Sequence, residues 1–273
     1  MTVIAMTREM GSLGKDVTFV VAEKLGLEIV HNELVENDLA HRMHLGESEV
    51  HRFLEGEEHL MDRWKIDRRR LSYFTYEEIL ELTAQGNVII RGWGSTRLLR
   101  SIPHVLCVRV CAPMKLRVGE MMRRLGICEE TARHEIDRSD AAHKRTVHRI
   151  FKSNWRDPLN YDLVVNTEHV PVEVGAELII RASKAPQFTE TEAAATIVQD
   201  KLLEARISSS MVENGLANDA KHIYASVSSG SVRLYGWAHG SDTALSIERL
   251  VQGVCGVSRI VNEIVDARHW PSR

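Results

Sequence analysis

Between a short apolar run at residues 2–6 and a helical periodicity that begins at Asp16 lies Thr7-Arg-Glu-Met-Gly-Ser-Leu-Gly-Lys15, a glycine-bearing turn from strand to helix. Such a turn leaves the first N–H groups of the helix without partners and places the positive end of its dipole there, the physical basis of a phosphate-binding loop. Gly11 and Gly14 free the backbone to approach a ligand, Ser12 lies between them, and the Lys15 ammonium adds charge. The spacing GxxxxGK[ST] is broken twice, with Glu9 at its first glycine and Asp16 at the position of the Mg²⁺-binding hydroxyl. On these residues alone a phosphate loop and a plain strand-to-helix turn both fit.

The remaining pattern alternates. Strands are expected at residues 2–6, 27–30, 87–90, 105–110 and 162–166, and helices at 16–25, 33–45, 48–63, 73–85, 113–125, 128–151 and 172–182. That order predicts a three-layer α/β core with a mostly parallel sheet. Past a linker at 183–188 the pattern becomes helix, two strands, helix, strand, an αββαβ unit of α+β type. The expected domains are therefore 1–182 and 189–268.

Composition narrows the class. With 44% hydrophobic residues in 273, the chain has enough apolar surface for two cores. No apolar run approaches the length of a membrane span, and Met1-Thr-Val-Ile-Ala-Met-Thr-Arg8 lacks the pattern of a signal peptide, so a cytoplasmic protein is expected. Cys107, Cys111, Cys128 and Cys255 form no CxxC pair, which predicts thiols without a structural metal. His41, His44 and His51 lack a carboxylate partner at ligand spacing. Lys115–Arg156 holds eleven Lys/Arg against six Asp/Glu, which suits either phosphate contacts or a solvated, salt-bridged helical face.

Three segments carry a resemblance. Thr7 to Val17 resembles the (S/T)-R-E-Y-G-S-G-G-x-x-I-A opening of the cytidylate-kinase-like family, a branch of the P-loop nucleoside monophosphate kinases. Arg91-Gly92 resembles its Gly-Arg-Gly loop, and Asn154-Trp-Arg-Asp-Pro-Leu-Asn-Tyr-Asp-Leu-Val-Val-Asn-Thr167 its W-x-D-P-x-x-Y-D-L-x-I-N-T signature. The resemblance implies a P-loop kinase core, a monophosphate-binding insertion around 31–75, a mobile helical lid around 128–155, and phosphoryl transfer from ATP with Mg²⁺ to a cytidylate-like acceptor. It places Gly11, Ser12, Gly14 and Lys15 at the donor phosphates, although a gapless fit puts Gly14 at the usual lysine position. It places Arg8, Arg91 and Asp162 at the acceptor, and gives Arg145 and Arg149 to the lid. His143 stands where the lid usually has arginine, and His31 where an acid is usual.

Residues 189–268 resemble the BON domain through Val227-Ser-Ser-Gly-Ser-Val-Arg-Leu-Tyr-Gly-Trp237 and Gly256-Val-Ser-Arg-Ile-Val-Asn-Glu-Ile264. That resemblance implies a regulatory or docking module with a protein, small-ligand or phospholipid partner. From Pro186 onward eight Lys/Arg face ten Asp/Glu, which does not favour anionic lipid, and no nucleic-acid partner is expected. The departures at Asp16, His31 and His143 leave a second reading open: a catalytically weak nucleotide-binding protein that signals through the BON domain.

Overall fold

The structure is a computed structural model that describes residues 1–30, 32–54, 68–92, 94–216, 222–238 and 241–266, with the side chains of 32–35, 51–54, 68–69, 149–151 and 241 excepted. Its contacts divide the chain into two compact units, Met1–Lys65 with Gln85–Glu190, and Ile66–Ala84 with Thr191–Arg273.

The first unit is built on β1 (Val3–Arg8), β2 (Glu28–Val30), β3 (Val88–Arg91), β4 (Val105–Cys111) and β5 (Leu163–Asn166), ordered β2-β3-β1-β4-β5. Every pairing is parallel. Val3 to Met6 of β1 are buried on both faces, which is why this unbroken apolar run takes the central place. Val3 lies beside Val88 on one side and Val105 on the other. Helices α1 (Gly14–Leu25) and α8 (Val172–Ser183) bring Val17, Val21, Ala176 and Ile179 onto Ile4, Met6, Ile89 and Val108. The unit also contains α2 (Asn32–Met43), α3 (Glu47–Leu54), α5 (Ser95–Leu98), α6 (Met114–Leu125) and α7 (Glu129–Phe151), while α4 (Arg68–Gln85) leads into β3. Parallel strands end together, so the carboxyl ends of β1, β3 and β4 form the edge where α/β sheets take ligands.

The second unit is an αββαβ module: α9 (Glu192–Glu213), β6 (Ile223–Ser228), β7 (Ser231–Ala238), α10 (Ser241–Gln252) and β8 (Arg259–Asp266). The β6–β7 hairpin turns on Ser229 and Gly230, with φ of 49° and 76°, the two left-handed residues that a two-residue loop requires. The chain then crosses through α10 to pair β8 parallel to β7. Alternation along β7 buries Val232 and Leu234 against Ile207, Ile247 and Val251. Most of α4 belongs to this unit: Tyr73 packs against the same cluster, and Glu81 pairs with Arg206 at 2.7 Å.

Element types match expectation, and several limits differ. Helix α1 starts two residues before Asp16, because Leu13 adopts φ 59° and ψ 9° and ends the turn there. Helix α4 starts at Arg68 and not at Tyr73, and α9 runs on to Glu213 because Ile207, Met211 and Val212 continue its buried face. Within the expected linker, Pro186–Phe188 forms a 3-10 turn, and Phe188 packs on the core of the first unit. The second half of the helix expected at 48–63 lies outside the described residues.

Cys107 is buried and donates from Sγ to the Thr96 carbonyl at 3.4 Å; burial pushes its thiol up to about 12. Among the described residues no group of three metal-ligating side chains gathers, and no helix is long and apolar enough to cross a membrane.

Leu234 has no exposed surface, so Leu234→Ala is expected to cost about 2–5 kcal/mol in urea denaturation. Ser226→Ala, on the exposed face of the neighbouring strand, should stay within about 0.5 kcal/mol of the parent.

Candidate functional site

The loop between β1 and α1 stays tied to the sheet: Glu9 N–H donates to the Val110 carbonyl at 3.0 Å, and Ser12 N–H to the Glu9 carbonyl at 3.1 Å. Gly11 has φ 77°, and a Cβ there would come within 2.6 Å of the Arg117 carbonyl oxygen. A Cβ on Gly14 would meet the Arg8 Cβ at 2.7 Å, so the Arg8 stem lies directly on the first helical residue. Helix α1 has no side-chain cap, and its first bond across the cap runs from Val17 N–H to the Leu13 carbonyl at 3.0 Å. The amides of Gly14, Lys15 and Asp16 precede that bond and have no acceptor within the helix. Uncapped amides at the positive end of a twelve-residue helix make this loop a candidate anion cradle.

The side chains expected to assist it divide. Ser12 is buried with its hydroxyl donating to the Val110 carbonyl at 3.3 Å, so the loop offers its backbone there. Lys15 is exposed, and its ammonium sits 5.6 Å from the centre of the Phe19 ring, one turn further along α1 and away from the cradle. The earlier start of α1 accounts for this: Lys15 is the second helical residue, and Gly14 occupies the first position. Asp16 is held by Arg124 at 2.5 Å. The carboxylate at the hydroxyl position thus has one oxygen paired with a cation, while its Oδ2 is buried without a hydrogen-bond partner among the described residues.

Behind the loop is a buried ionic network that the sequence did not reveal. Glu9 and Arg109 have side chains 8% and 5% exposed and meet at 2.7 Å; the second Glu9 oxygen accepts from Ala112 N–H at 3.2 Å and lies 3.6 Å from Arg117. Arg117 grips Asp140 of α7 through both terminal nitrogens, at 2.9 and 2.7 Å, while its Nε donates to the Met10 carbonyl at 2.7 Å. Arg156 adds a 2.9 Å bond to Asp140. Arg109 also lies over Trp155, 4.6 Å from its ring centre, and donates to the Trp155 carbonyl. One connected set of charges therefore fixes the loop, α6, α7 and the signature segment.

At the carboxyl ends of β1 and β3 a small cleft is lined by Thr7, Gly92, Arg97, His143, Trp155 and Tyr161, among others. Arg91 ends β3 half-buried; its Nε has no hydrogen-bond partner among the described residues, and burial lowers the guanidinium below its ordinary value. No described carboxylate offsets that charge. Arg97 is exposed on α5, at the cleft, and was missed from the sequence, where nothing marks it except its place three residues after Gly94. Trp155 donates from Nε1 to the Thr7 hydroxyl at 3.1 Å, and Tyr161 from its hydroxyl to the Trp155 carbonyl at 2.7 Å, which makes the aromatic wall rigid.

Asp162, expected at the acceptor, is an anchor. One oxygen accepts from Arg100 and the other from Cys107 N–H at 2.8 Å, tying the approach to β5 onto β4, and it does not line the cleft. Arg145 is exposed on α7, within the expected lid; the side chain of Arg149, like His31, lies outside the described residues. Helix α7 is seated on α6 through Val118, Ala132 and Ile136, with Met10 of the loop in the same cluster.

A parallel sheet in the order β2-β3-β1-β4-β5, with an uncapped glycine loop after β1, defines the P-loop kinase class of α/β folds. Residues 3–169 match the cytidylate kinase-like family and residues 199–265 match the BON domain. The chain belongs to the cytidylate kinase-like family, with a BON domain at its C-terminal side. It is 25% identical over 170 residues to a cytidylate kinase of Sulfolobus acidocaldarius, covering 62% of this chain and 87% of that protein. A cytidylate kinase of Methanocaldococcus jannaschii is 25% identical over 155 residues, 56% of this chain and 81% of its own. An uncharacterized protein of Eubacterium ventriosum superposes with a TM-score of 0.54 at 18% identity, covering 68% of this chain and 99% of its own, a likeness of fold.

Removing one partner of a buried ion pair leaves the other uncompensated. Glu9→Gln is therefore expected to cost about 3–5 kcal/mol in denaturant unfolding. A loss below about 1 kcal/mol would show that Arg109 and Arg117 find other partners.

Proposed function

We propose that the N-terminal unit transfers the terminal phosphoryl group of ATP to a nucleoside monophosphate, with cytidylate as the acceptor that its family suggests. The observation that carries this reading is Arg91: a half-buried guanidinium with an unpartnered Nε and no offsetting carboxylate, at the ligand edge of a parallel sheet. A cation left unsatisfied in that way is matched by an anion, and a phosphate accepts from its planar fork. Gly92, the residue after Arg91, lines a cleft to which Arg97 brings a charge and the Trp155–Tyr161 wall a surface for a flat base.

In the proposed reaction an oxygen of the acceptor phosphate attacks the γ-phosphorus of ATP while the bond to the β-phosphate oxygen breaks, giving ADP and a nucleoside diphosphate. An ionised phosphate oxygen needs no base, so the protein positions and neutralises. The amides of Gly14, Lys15 and Asp16 hold the donor phosphates, with Gly11 and Gly14 keeping the backbone clear. Arg8, which lies on Gly14, and Arg91 meet the transferring and accepting phosphates, and Arg145 and Arg149 bring further charge from the lid. Mg²⁺ would arrive with the nucleotide, and no step is assigned to it. The modules 1–182 and 189–268 work as catalytic and regulatory or docking parts joined at 183–188, the latter with a protein, small-ligand or phospholipid partner. The working compartment is the cytoplasm, which supplies ATP and suits four free thiols.

The second reading, a weakly catalytic nucleotide-binding regulator, draws on two observations: Lys15 leans away from the cradle, and Asp16 is paired with Arg124. Coupled assays across the monophosphates, beside direct ATP binding, separate the two. ATP binding without turnover on any monophosphate would favour the regulator.

Arg91→Ala is expected to raise the KM for cytidylate about tenfold or more, equivalent to about 1.4 kcal/mol, with the melting temperature kept. An unchanged KM would remove the acceptor assignment. At the donor site Gly14→Val should abolish ATP binding by driving side chain into Arg8, whereas Lys15→Ala should leave it within a few-fold. If Lys15→Ala alone loses ATP, the ammonium swings to the phosphates and the backbone cradle is not the main donor contact.

A further inference from the structure

His143 lines the cleft from α7 and is the one histidine on its wall. Two contacts fix its ring. Nδ1 lies 3.1 Å from the Ser139 carbonyl oxygen, which only accepts, so the proton of the neutral ring sits on Nδ1 and donates there. The ring stacks on Trp155 with centres 5.3 Å apart and planes at 29°. One turn before it, Asp140 is pinned by Arg117 and Arg156, which sets the register of α7 at that level. What remains is Nε2, which has no hydrogen-bond partner among the described residues.

The ionisable groups around the ring set the sign of its response. On α7 these are Asp140, already bound by two guanidiniums, and the exposed Lys144. From α5 comes Arg97 at the cleft, from β4 Arg109 beneath Trp155, and from the signature segment Tyr161, whose hydroxyl burial keeps neutral. Arg109 is itself paired with Glu9, which leaves Arg97 and Lys144 as the nearby cations with no described carboxylate partner. An anion that enters between His143 and Arg97 favours a second proton on Nε2.

We propose that His143 is a phosphate-binding residue of this cleft that acts as the imidazolium, so that the site takes a phosphate-bearing acceptor and not a neutral alcohol. The inference rests on the acceptor reading of the cleft. Binding of the anion and uptake of the Nε2 proton are linked, each favouring the other. The sign follows: a group whose titration is raised by the bound anion holds that anion at low pH and loses its contribution as pH rises through the bound-state value. A neutral alcohol acceptor would instead need Nε2 as the base, with activity rising with pH.

The imidazole C2–H signal of His143, assigned by its absence in His143→Gln, is titrated by NMR alone, with inorganic pyrophosphate, and with cytidylate. The titration should move to higher pH with either ligand. In parallel, kcat/KM for cytidylate should fall about tenfold between pH 5.5 and 8 in the parent, stay low in His143→Gln, and stay high at pH 8 in His143→Arg. The arginine variant also removes the acceptor's own second ionisation, near 6, from the comparison. A titration that neither ligand moves, or a rate that rises with pH and is lost in His143→Arg, overturns the proposal. A shift with pyrophosphate from a protein that does not bind cytidylate upholds His143 as an anion contact and sinks the cytidylate reading instead.

Discussion

The buried contact between Glu9 and Arg109 is the constraint on which the site depends. In a P-loop of ordinary spacing the position of Glu9 is glycine and serves backbone geometry alone. Here it carries a carboxylate held below the loop by Arg109, Arg117 and an amide of the β4–α6 turn. A carboxylate so close to a phosphate site would repel the ligand if it were left unpaired. Two arginines, nearly inaccessible themselves, cancel its charge and leave the amides of α1 to face outward. Arg117 then passes the constraint to α7 through Asp140, and Arg109 passes it to Trp155, so the loop, the expected lid and the signature segment share one electrostatic anchor.

This arrangement separates the basic residues into two kinds. Arg109, Arg117 and Arg124 each face a carboxylate at 2.7 Å or less, and they hold the architecture together. Arg91 and Arg97 face none among the described residues, and both lie at the carboxyl end of the sheet. A local excess of positive charge in sequence therefore says little until the paired cations are set aside. In Lys115–Arg156 much of the excess is neutralised within α6 and α7, as in Arg123 with Glu120 and Arg138 with Glu135. The solvated-face reading accounts for those residues.

The fold was legible because the strands of its parallel sheet are short, mostly apolar runs bounded by turn residues, and because the hairpin turns on the two left-handed residues Ser229 and Gly230. The site was legible in part. Arg91 is singled out as a candidate because it follows such a strand directly, and the loop through its two glycines. Lys15 could not be oriented, because the start of α1 depends on a left-handed leucine, a conformation that no residue pattern announces. The network around Glu9 was hidden for a different reason: its members lie at positions 9, 109, 117, 140 and 156, and only packing brings them together. Asp162 shows how a single acid stays ambiguous in sequence, since in a signature segment it can be kept for its bond to a neighbouring strand as readily as for a substrate.

At α4, sequence order and packing divide the chain differently. By sequence this helix belongs to the N-terminal domain, and its last residues lead through Gly86 and Asn87 into β3, the strand that ends at Arg91. By contacts residues 66–84 belong with the C-terminal unit, where Glu81 meets Arg206 and Tyr73 joins the hydrophobic cluster. The boundary between the units therefore falls at Ala84–Gln85, in the passage from helix to strand, and no shift of composition marks it, because it is set by which core Tyr73 and Glu81 reach and not by where the sequence pattern changes.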